Sequence, residues 1–425
     1  MADENRQRAM KILVVTNFYP PHYLGGYELG CRDVVDGLRL QGHRVDVLTS
    51  SYGVDRPLEE NGVYRWLVSD YQSIAAGRDP SARVLFLARK ERTNRRAFKR
   101  LCDVLTPHLI YFWNLKHISI SIPIAAERAR YQVSYFVSDY WLSEWEKDSW
   151  YALRDRRPAR ASRRIPWNAV RFVLRSTGLL SDHRLQLRHV QFCSRFLADA
   201  TQRAGKHVGA ADVIHWGVDT DTYHSDTKDR DAKRLLYVGQ LISIKGIETA
   251  VKAFHMIKQR EGFDDATLTI AGGPDYGNQI QRQVAALGLE RDVRMTGLIP
   301  REQLPPLYRE HGTLLFPSQW DEPFSITVLE AMASGMAIVG TLTGGSREIL
   351  VDGENALVFE KGDAEGCAEQ VARLIRDREL FDSIRHNARR TVESHYTTRE
   401  MIRKIEASLA KGSDHDVNVR AQIAK

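Results

Sequence analysis

Glu322 and Glu330 stand eight residues apart in the stretch Pro317-Ser318-Gln319-Trp320-Asp321-Glu322-Pro323-Phe324-Ser325-Ile326-Thr327-Val328-Leu329-Glu330-Ala331-Met332-Ala333-Ser334-Gly335. Two carboxylates so close raise the question of an acid and base pair of the kind that cleaves glycosidic bonds. Even with every intervening residue helical they would lie about 12 Å apart along the axis, at about 1.5 Å per residue. Paired glycosidase carboxylates sit at roughly 5 to 9.5 Å. The spacing fits better two acceptors that hold hydroxyls at opposite ends of a long ligand. Between them the sequence offers an anion site. The apolar run Thr313 to Phe316 reads as a strand, and the amphipathic segment Ile326 to Ala333, closing on Gly335, reads as a helix. The first amides of that helix, near Phe324, Ser325 and Ile326, lack partners within it and carry the positive end of its dipole, which suits a phosphate. A nucleoside diphosphate sugar has that shape. Taken alone, the pair also fits a helix capped by Glu322 with Glu330 on its solvated face; the motifs around it favour the ligand.

The elements that must position these groups alternate. Strands are expected at Leu235 to Val238, Thr267 to Ala271, Val293 to Thr296, Thr313 to Phe316, Ala337 to Val339 and Ala356 to Phe359, with helical segments between them. That order implies a parallel sheet with right-handed crossovers. Earlier in the chain Lys11 to Thr16 reads as a buried strand, followed by the loop Leu24-Gly25-Gly26-Tyr27-Glu28, a helix to about Leu40 and a strand from Arg44 to Leu48. Glycines there let the backbone approach a ligand at an open helix start. The G-x-G-x-x-G spacing of a dinucleotide fingerprint is missing, which argues against NAD. Further strands are expected at Leu109 to Phe112 and Val133 to Val137. Ligands gather at the carboxyl ends of parallel strands, so Trp113-Asn114-Leu115-Lys116-His117 and Ser138-Asp139-Tyr140-Trp141 should look into a cleft. The cluster Tyr140, Trp141, Trp145, Trp150 and Tyr151 fits a sugar-stacking or acceptor platform and fits buried packing equally well.

The run Glu-Pro-Phe-Ser-Ile-Thr-Val-Leu-Glu-Ala-Met-Ala-Ser-Gly resembles the E-x7-E signature of the retaining glycosyltransferases of family 4. The likeness is strong from Leu236 to Phe359 and looser before it. It implies the GT-B fold: α/β, with two Rossmann-like domains whose parallel sheets face a central cleft. It also implies a metal-independent, retaining transfer of a sugar from a nucleoside diphosphate sugar, a co-substrate and not a cofactor, to a glycan, lipid-linked or small-molecule acceptor. By this resemblance Glu330 holds the ribose hydroxyls, Glu322 the sugar, and Lys245 with the amides of Phe324, Ser325 and Ile326 the diphosphate. Gly239-Gln240-Leu241-Ile242-Ser243-Ile244-Lys245-Gly246 is similar to the family's G-R-x4-K-G, with Gln240 in place of the arginine. Gln240 can donate a hydrogen bond but brings no charge, which puts more weight on Lys245. Gly272, Gly273 and the backbone at Leu298 line the nucleotide in the resemblance, and Thr343-Gly344-Gly345-Ser346 closes the same wall. Gly25 and Gly26 border the diphosphate, and Glu28, Asn114, Tyr140 and Trp141 the acceptor. Many members carry a histidine where Trp113 stands, and another where this chain has Ser138. Either Asp139 or His117 takes over part of that second role, or the sugar and acceptor differ.

At 425 residues the chain suits two domains. They are expected at 1–208 for the acceptor and 209–395 for the nucleotide sugar, with 396–425 a helix returning toward the first domain and a frayed polar tail from Lys411. The join is placed in the small, polar run Arg203 to Ala211, and Asp226 to Arg234 is read as an exposed loop. Cys31, Cys102, Cys193 and Cys367 are scattered without zinc-site spacing, and they read as free thiols of a reducing compartment. Asp219-Thr220-Asp221 has the spacing of a diphosphate-metal motif but lies at a domain entry, so no metal is expected. Met1 to Arg8 is polar with no apolar segment behind it, and no run nears the roughly 18 apolar residues of a spanning helix. The expected location is therefore cytoplasmic. The net charge of +7 is concentrated between Arg154 and Arg175, where Arg154, Arg156, Arg157, Arg160, Arg163, Arg164, Arg171 and Arg175 face the single acid Asp155 among Ile165, Trp167, Val170, Phe172, Val173 and Leu174. Arg89 to Arg100 adds a second basic run. Such a stretch is compatible with a solvated helix and loop, or with peripheral docking on the anionic inner face of a membrane. Nucleic acid is not expected as a partner, because no nucleic-acid fold motif accompanies the charge. Two other classes fit the same fold: a sugar-nucleotide epimerase, and a nonenzymatic nucleotide-sugar-binding protein in which Ser138 and Gln240 mark lost catalysis. Transfer onto an added acceptor separates the first reading from both.

Overall fold

A computed structural model of the chain describes residues 9–71, 80–148, 172, 175, 184–225, 229–273 and 277–423. Trp150, Tyr151 and the basic stretch Arg154 to Arg175, apart from Phe172 and Arg175, lie outside the described residues. The chain forms two compact units. One comprises the chain to Cys193, Leu197–Ile214 and the chain from Ile402; the other comprises Ser194–Phe196 and His215–Met401.

The first unit is built on the strands β1 (Lys11–Val15), β2 (Arg44–Ser50), β3 (Leu58–Glu60), β4 (Val63–Leu67), β5 (Leu109–Phe112), β6 (Val133–Val137), β7 (His189–Phe192) and β8 (Ala210–Val213). Their order in the sheet is β3-β4-β2-β1-β5-β6-β7-β8, and every pairing is parallel except β3 with β4. The central strands are short and apolar because helices cover both faces; Leu109, Ile110, Tyr111 and Phe112 are all buried. The second unit carries β9 (Arg234–Val238), β10 (Thr267–Ala271), β11 (Val293–Gly297), β12 (Thr313–Phe316), β13 (Ala337–Gly340) and β14 (Leu357–Val358). They form an all-parallel sheet in the order β11-β10-β9-β12-β13-β14. Its core lies between the sheet and helices that include Ile247–Lys258 and Ala364–Arg376, where Phe254, Val251 and Val371 are fully buried.

The second unit follows the expected elements to within a residue or so at their ends. In the first, β3, β4, β7 and β8 were not anticipated; β3 and β8 are short and mostly exposed, and β4 and β7 carry polar residues inside the sheet. β7 reads His-Val-Gln-Phe, and its polar side chains are buried only because distant groups satisfy them. Gln191 donates to the hydroxyl of Ser408 at 2.8 Å, and His189 pairs with Asp212 at 3.2 Å. Arg65 within β4 is buried by donating to the carbonyls of Tyr19 at 3.0 Å and Pro20 at 2.6 Å. The expected domain boundary at 208/209 needs correction. The stretch taken as a join contains β8, which pairs with β7, so the first unit continues to Ile214. At the chain end the helix Thr398–Ile423 runs through the stretch expected to fray, whereas its expected return holds, since from Ile402 it belongs to the first unit. Among the described residues no helix is long and apolar enough to cross a membrane.

Candidate functional site

In the second sheet the chain runs outward from β9 to β10 and β11, then returns to place β12 on the other side of β9. The two neighbouring strand ends, Val238 and Phe316, therefore lead into loops that diverge at a topological switch point, where open α/β sheets bind ligands. The loop after β9 ends in a tight turn, Ser243–Lys245, and the loop after β12 is tied to it. The amides of Gln319 and Trp320 both donate to the carbonyl of Ile244, at 2.9 and 3.1 Å. That stitch brings Lys245 onto Glu322. Its ammonium donates to both carboxylate oxygens, at 2.6 and 2.7 Å, and lies 4.8 Å from the ring centre of Trp320. The Ser318 hydroxyl donates to the same carboxylate at 2.9 Å. Glu322 is 9 % exposed at its side chain and Lys245 21 %, so water screens the pair only in part.

Two glycines make this approach possible. Gly246 has φ +73°, and a side chain there would overlap the carbonyl oxygen of Pro317. Gly344, with φ +52°, lies against the backbone of Asp321 and Glu322, where a Cβ would also overlap. Across the same contact the Gly345 amide donates to the Glu322 carbonyl at 2.7 Å, and the Gly344 amide to Asp321 at 3.2 Å. The expected wall of Thr343 to Ser346 is thus stitched directly to the Glu322 loop. The helix Ile326–Ala333 starts at Ser325, whose hydroxyl accepts from the Val328 amide at 3.4 Å. Glu330, on this helix, is buried and accepts from the Tyr308 hydroxyl at 3.0 Å. Burial, then the charge of Glu330, pushes the pKa of the Tyr223 hydroxyl up. The helical path between the two glutamates thus covers only part of their separation, since Glu322 and Pro323 lie before the helix.

The other glycine loops of this unit join the same edge. Gly239 donates to the Ala271 carbonyl and Gly272 to that of Gly297, each at 3.0 Å, which aligns the ends of β9, β10 and β11. Gln240 is exposed, Gly273 has open space beside it, and Leu298 is 80 % exposed. Ser318, Trp320 and Tyr308 were missed as site residues. Ser318 and Trp320 lie inside the signature stretch and could have been weighed; nothing in the sequence places Tyr308 beside Glu330.

In the first unit, Gly25 caps the helix Gly26–Leu40, and Glu28 accepts from the Gly25 amide at 2.9 Å. Proposed for an acceptor, Glu28 also serves its own helix start. Asp139 accepts from the Trp141 amide at 3.0 Å and from the Asn114 side chain at 3.3 Å. His117 pairs instead with Asp70, at 3.1 Å, so the two catalytic candidates of this unit have separate partners. The loop after β5 does not present itself as expected. Trp113 and Leu115 are fully buried, Trp113 stacking on Phe136 at 4.5 Å, and only Lys116 and His117 reach the surface. Trp141 is 7 % exposed and leaves little ring for an acceptor, whereas Tyr140 is half-buried.

Burial raises the Glu28 carboxyl from 4.5 to about 7 against the pull of the Gly25 amide, and Asp139 adds to the rise. Burial likewise lifts Asp139 from 3.8 to about 6. Between pH 4.5 and 7 the folded chain keeps a proton on Glu28 that the unfolded chain has released. Stability from this group is therefore full below 4.5 and is lost as pH rises through 7. The loss is about 3 kcal/mol at about 1.4 kcal/mol per unit. Urea unfolding from pH 4 to 8 should show this fall in the native protein and a flatter profile in Glu28→Gln. Parallel profiles would contradict the assignment.

Residues 219–391 match the family model described as glycosyl transferases group 1. An uncharacterized glycosyltransferase of Methanocaldococcus jannaschii is 26% identical over 405 residues, covering 91% of this chain and 95% of its own. Among solved structures, a sucrose-phosphate synthase of Thermosynechococcus elongatus superposes with a TM-score of 0.68 at 19% identity, over 94% of this chain and 98% of that one. Anabaena HepE, solved in complex with UDP, gives 0.66 at 19% identity, over 95% and 100%. The fold is GT-B, and these likenesses support the group 1 family and glycosyl transfer in general.

Proposed function

We propose that this chain is a retaining, metal-independent hexosyltransferase of family 4 that takes its sugar from a nucleoside diphosphate sugar. The observation that carries the reading is the Lys245–Glu322 pair at the switch point of the second sheet, on the loop that leads into the amide end of the helix Ile326–Ala333. In this reading the ammonium of Lys245 and the amides from Phe324 to Ile326 neutralise the charge that grows on the departing diphosphate. Gln240 adds an uncharged donor. Glu322 holds the ammonium in place and offers its carboxylate to a sugar hydroxyl, and Glu330 accepts from the ribose. Gly272, Gly273 and Leu298 border the nucleotide. In the first unit Gly25 and Gly26 border the diphosphate, and Glu28, Asn114, Asp139 and Tyr140 supply the acceptor side. The sugar's bond to the diphosphate oxygen breaks, its bond to the acceptor oxygen forms on the same face, and the acceptor's proton leaves with the diphosphate. The UDP bound by the HepE structure supports a uridine donor as the first to try.

A thermal screen of UDP-, GDP- and ADP-sugars tests this directly, because a ligand that binds only the native state stabilises it by about 2.7 kcal/mol at a hundred-fold excess over Kd. One nucleotide class should raise Tm. With that donor, transfer should retain the anomeric configuration and proceed undiminished in EDTA. No shift with any donor together with no release of nucleoside diphosphate would refute the reading, and loss of activity in EDTA would refute metal independence.

A further inference from the structure

Four neighbouring strands of the first sheet, β4, β2, β1 and β5, end side by side, and each is followed within a few residues by an aromatic ring. Phe18 follows β1, Tyr52 follows β2, Tyr71 follows β4 and His117 follows β5. The rings meet: Phe18 to Tyr52 at 4.8 Å, Tyr52 to Tyr71 at 5.8 Å and Tyr71 to His117 at 5.2 Å between centres. Phe18 is the buried floor, and Tyr71 is 38 % exposed. Among the described residues neither the Tyr52 nor the Tyr71 hydroxyl has a hydrogen-bond partner.

Beneath the rings lies a buried polar frame that packing alone does not require. His117 sits in the left-handed region at φ +73°, a conformation that costs a non-glycine residue energy and must be held by its surroundings. Asp70 holds it at two points, its amide donating to the His117 carbonyl at 3.0 Å and its carboxylate meeting Nδ1 at 3.1 Å. Lys90, completely buried, donates to the other oxygen of Asp70 at 2.8 Å. Asn94, one turn on, donates to the carbonyls of Val68 and Ile118, both at 2.9 Å, and Glu91 accepts from Ser119 at 2.8 Å. Burying such charges is costly, and replacing them by apolar side chains is often neutral for stability. Their use here is geometric. A carboxylate at Nδ1 requires that nitrogen to carry the proton, so in the neutral ring Nε2 is the acceptor.

We propose that this cluster is an acceptor subsite for a pyranose ring, with Tyr71 stacking on the ring, Tyr52 at right angles to it meeting the ring edge, Nε2 of His117 accepting from a hydroxyl beside the reactive one, and Asp70 acting as the positioning residue. The inference rests on the glycosyltransferase reading. A ring with an apolar face and a hydroxylated edge matches both the aromatic walls and the polar groups between them. A lipid chain would offer nothing to Nε2 of His117 or to either tyrosine hydroxyl.

Methyl glucoside, methyl mannoside and methyl galactoside are the probes, with glycerol as the ringless control. Saturation-transfer NMR reads binding, and transfer kinetics with the preferred donor read function. Tyr71→Ala should weaken saturation of the pyranoside ring protons and raise acceptor KM by about 5- to 10-fold, and Tyr71→Phe should restore both. Asp70→Asn should lower kcat by about 10- to 100-fold with a much smaller change in KM. Near-UV circular dichroism and the urea unfolding profile report that each variant is folded. Wild-type binding and kinetics in both Tyr71→Ala and Asp70→Asn would overturn the subsite. A protein that saturates pyranosides through Tyr71 yet transfers to none would keep the subsite and sink the transferase reading. Equal saturation of glycerol would remove the ring preference and with it the proposal.

Discussion

Lys245→Ala is expected to lower the rate of glycosyl transfer by about 100-fold or more, the scale seen when a preorganised group facing developing charge is removed. With Gln240 standing where a second cation would be expected from the resemblance, Lys245 is the side-chain cation proposed to face the leaving diphosphate. Glu322→Ala should slow turnover comparably by a different route. It frees the ammonium from the two contacts at 2.6 and 2.7 Å that aim it, and it removes the proposed sugar contact. It should also destabilise the second unit, because a partly buried lysine loses its counter-charge. Glu330→Ala should act on donor affinity more than on turnover, since ribose is remote from the reacting bond. Release of nucleoside diphosphate under saturating donor, read beside melting curves, separates these effects. Wild-type kcat in both Lys245→Ala and Glu322→Ala would remove the pair from the mechanism.

The second large effect is structural. Gly246→Ala should lower Tm by about 6 to 12 °C, from about 3 kcal/mol at about 2 to 4 °C per kcal/mol for a domain of this size. The left-handed backbone accounts for about 1 to 2 kcal/mol of it, and the overlap with the Pro317 carbonyl for the rest. The loss should extend to donor binding, because relief of the overlap moves the Lys245 turn away from the Glu322 loop. Gly262→Ala is the control. Gly262 has φ +78° with nothing within 4 Å, so it should show the backbone cost alone. Equal Tm changes in the two variants would mean that the close approach at Gly246 contributes nothing.

The second unit was legible in the sequence because its information is local. Strands such as Thr313–Phe316 are fully buried apolar runs, and some helix starts are marked by their own residues, as where Asp363 and Ser325 cap Ala364–Arg376 and Ile326–Ala333. The glycines at Gly246 and Gly344 were visible as loops, but the reason they must be glycine lies in Pro317 and in Asp321 with Glu322, far along the chain. In the first unit β3 and β8 are short and mostly exposed with little local signal, and the apolar pattern of β4 and β7 is broken by polar residues. His189, Gln191 and Arg65 belong inside a sheet only once remote groups satisfy them, and a sequence read alone cannot supply those partners.

The same division holds for the chemistry. Residue types and spacing by themselves pointed to the anion-binding helix start and to Glu322 and Glu330 as hydroxyl acceptors, while Lys245 entered as a candidate through the family resemblance. Tertiary structure alone decided that Lys245 and Glu322, 77 residues apart, are direct partners. It alone turned Trp113 inward and bound His117 to Asp70 across 47 residues. Spacing constrains side chains on one element, through the period of its backbone. Groups on different loops are placed by strand order and by the hydrogen bonds that tie strand ends together, which exist only once the sheet has formed.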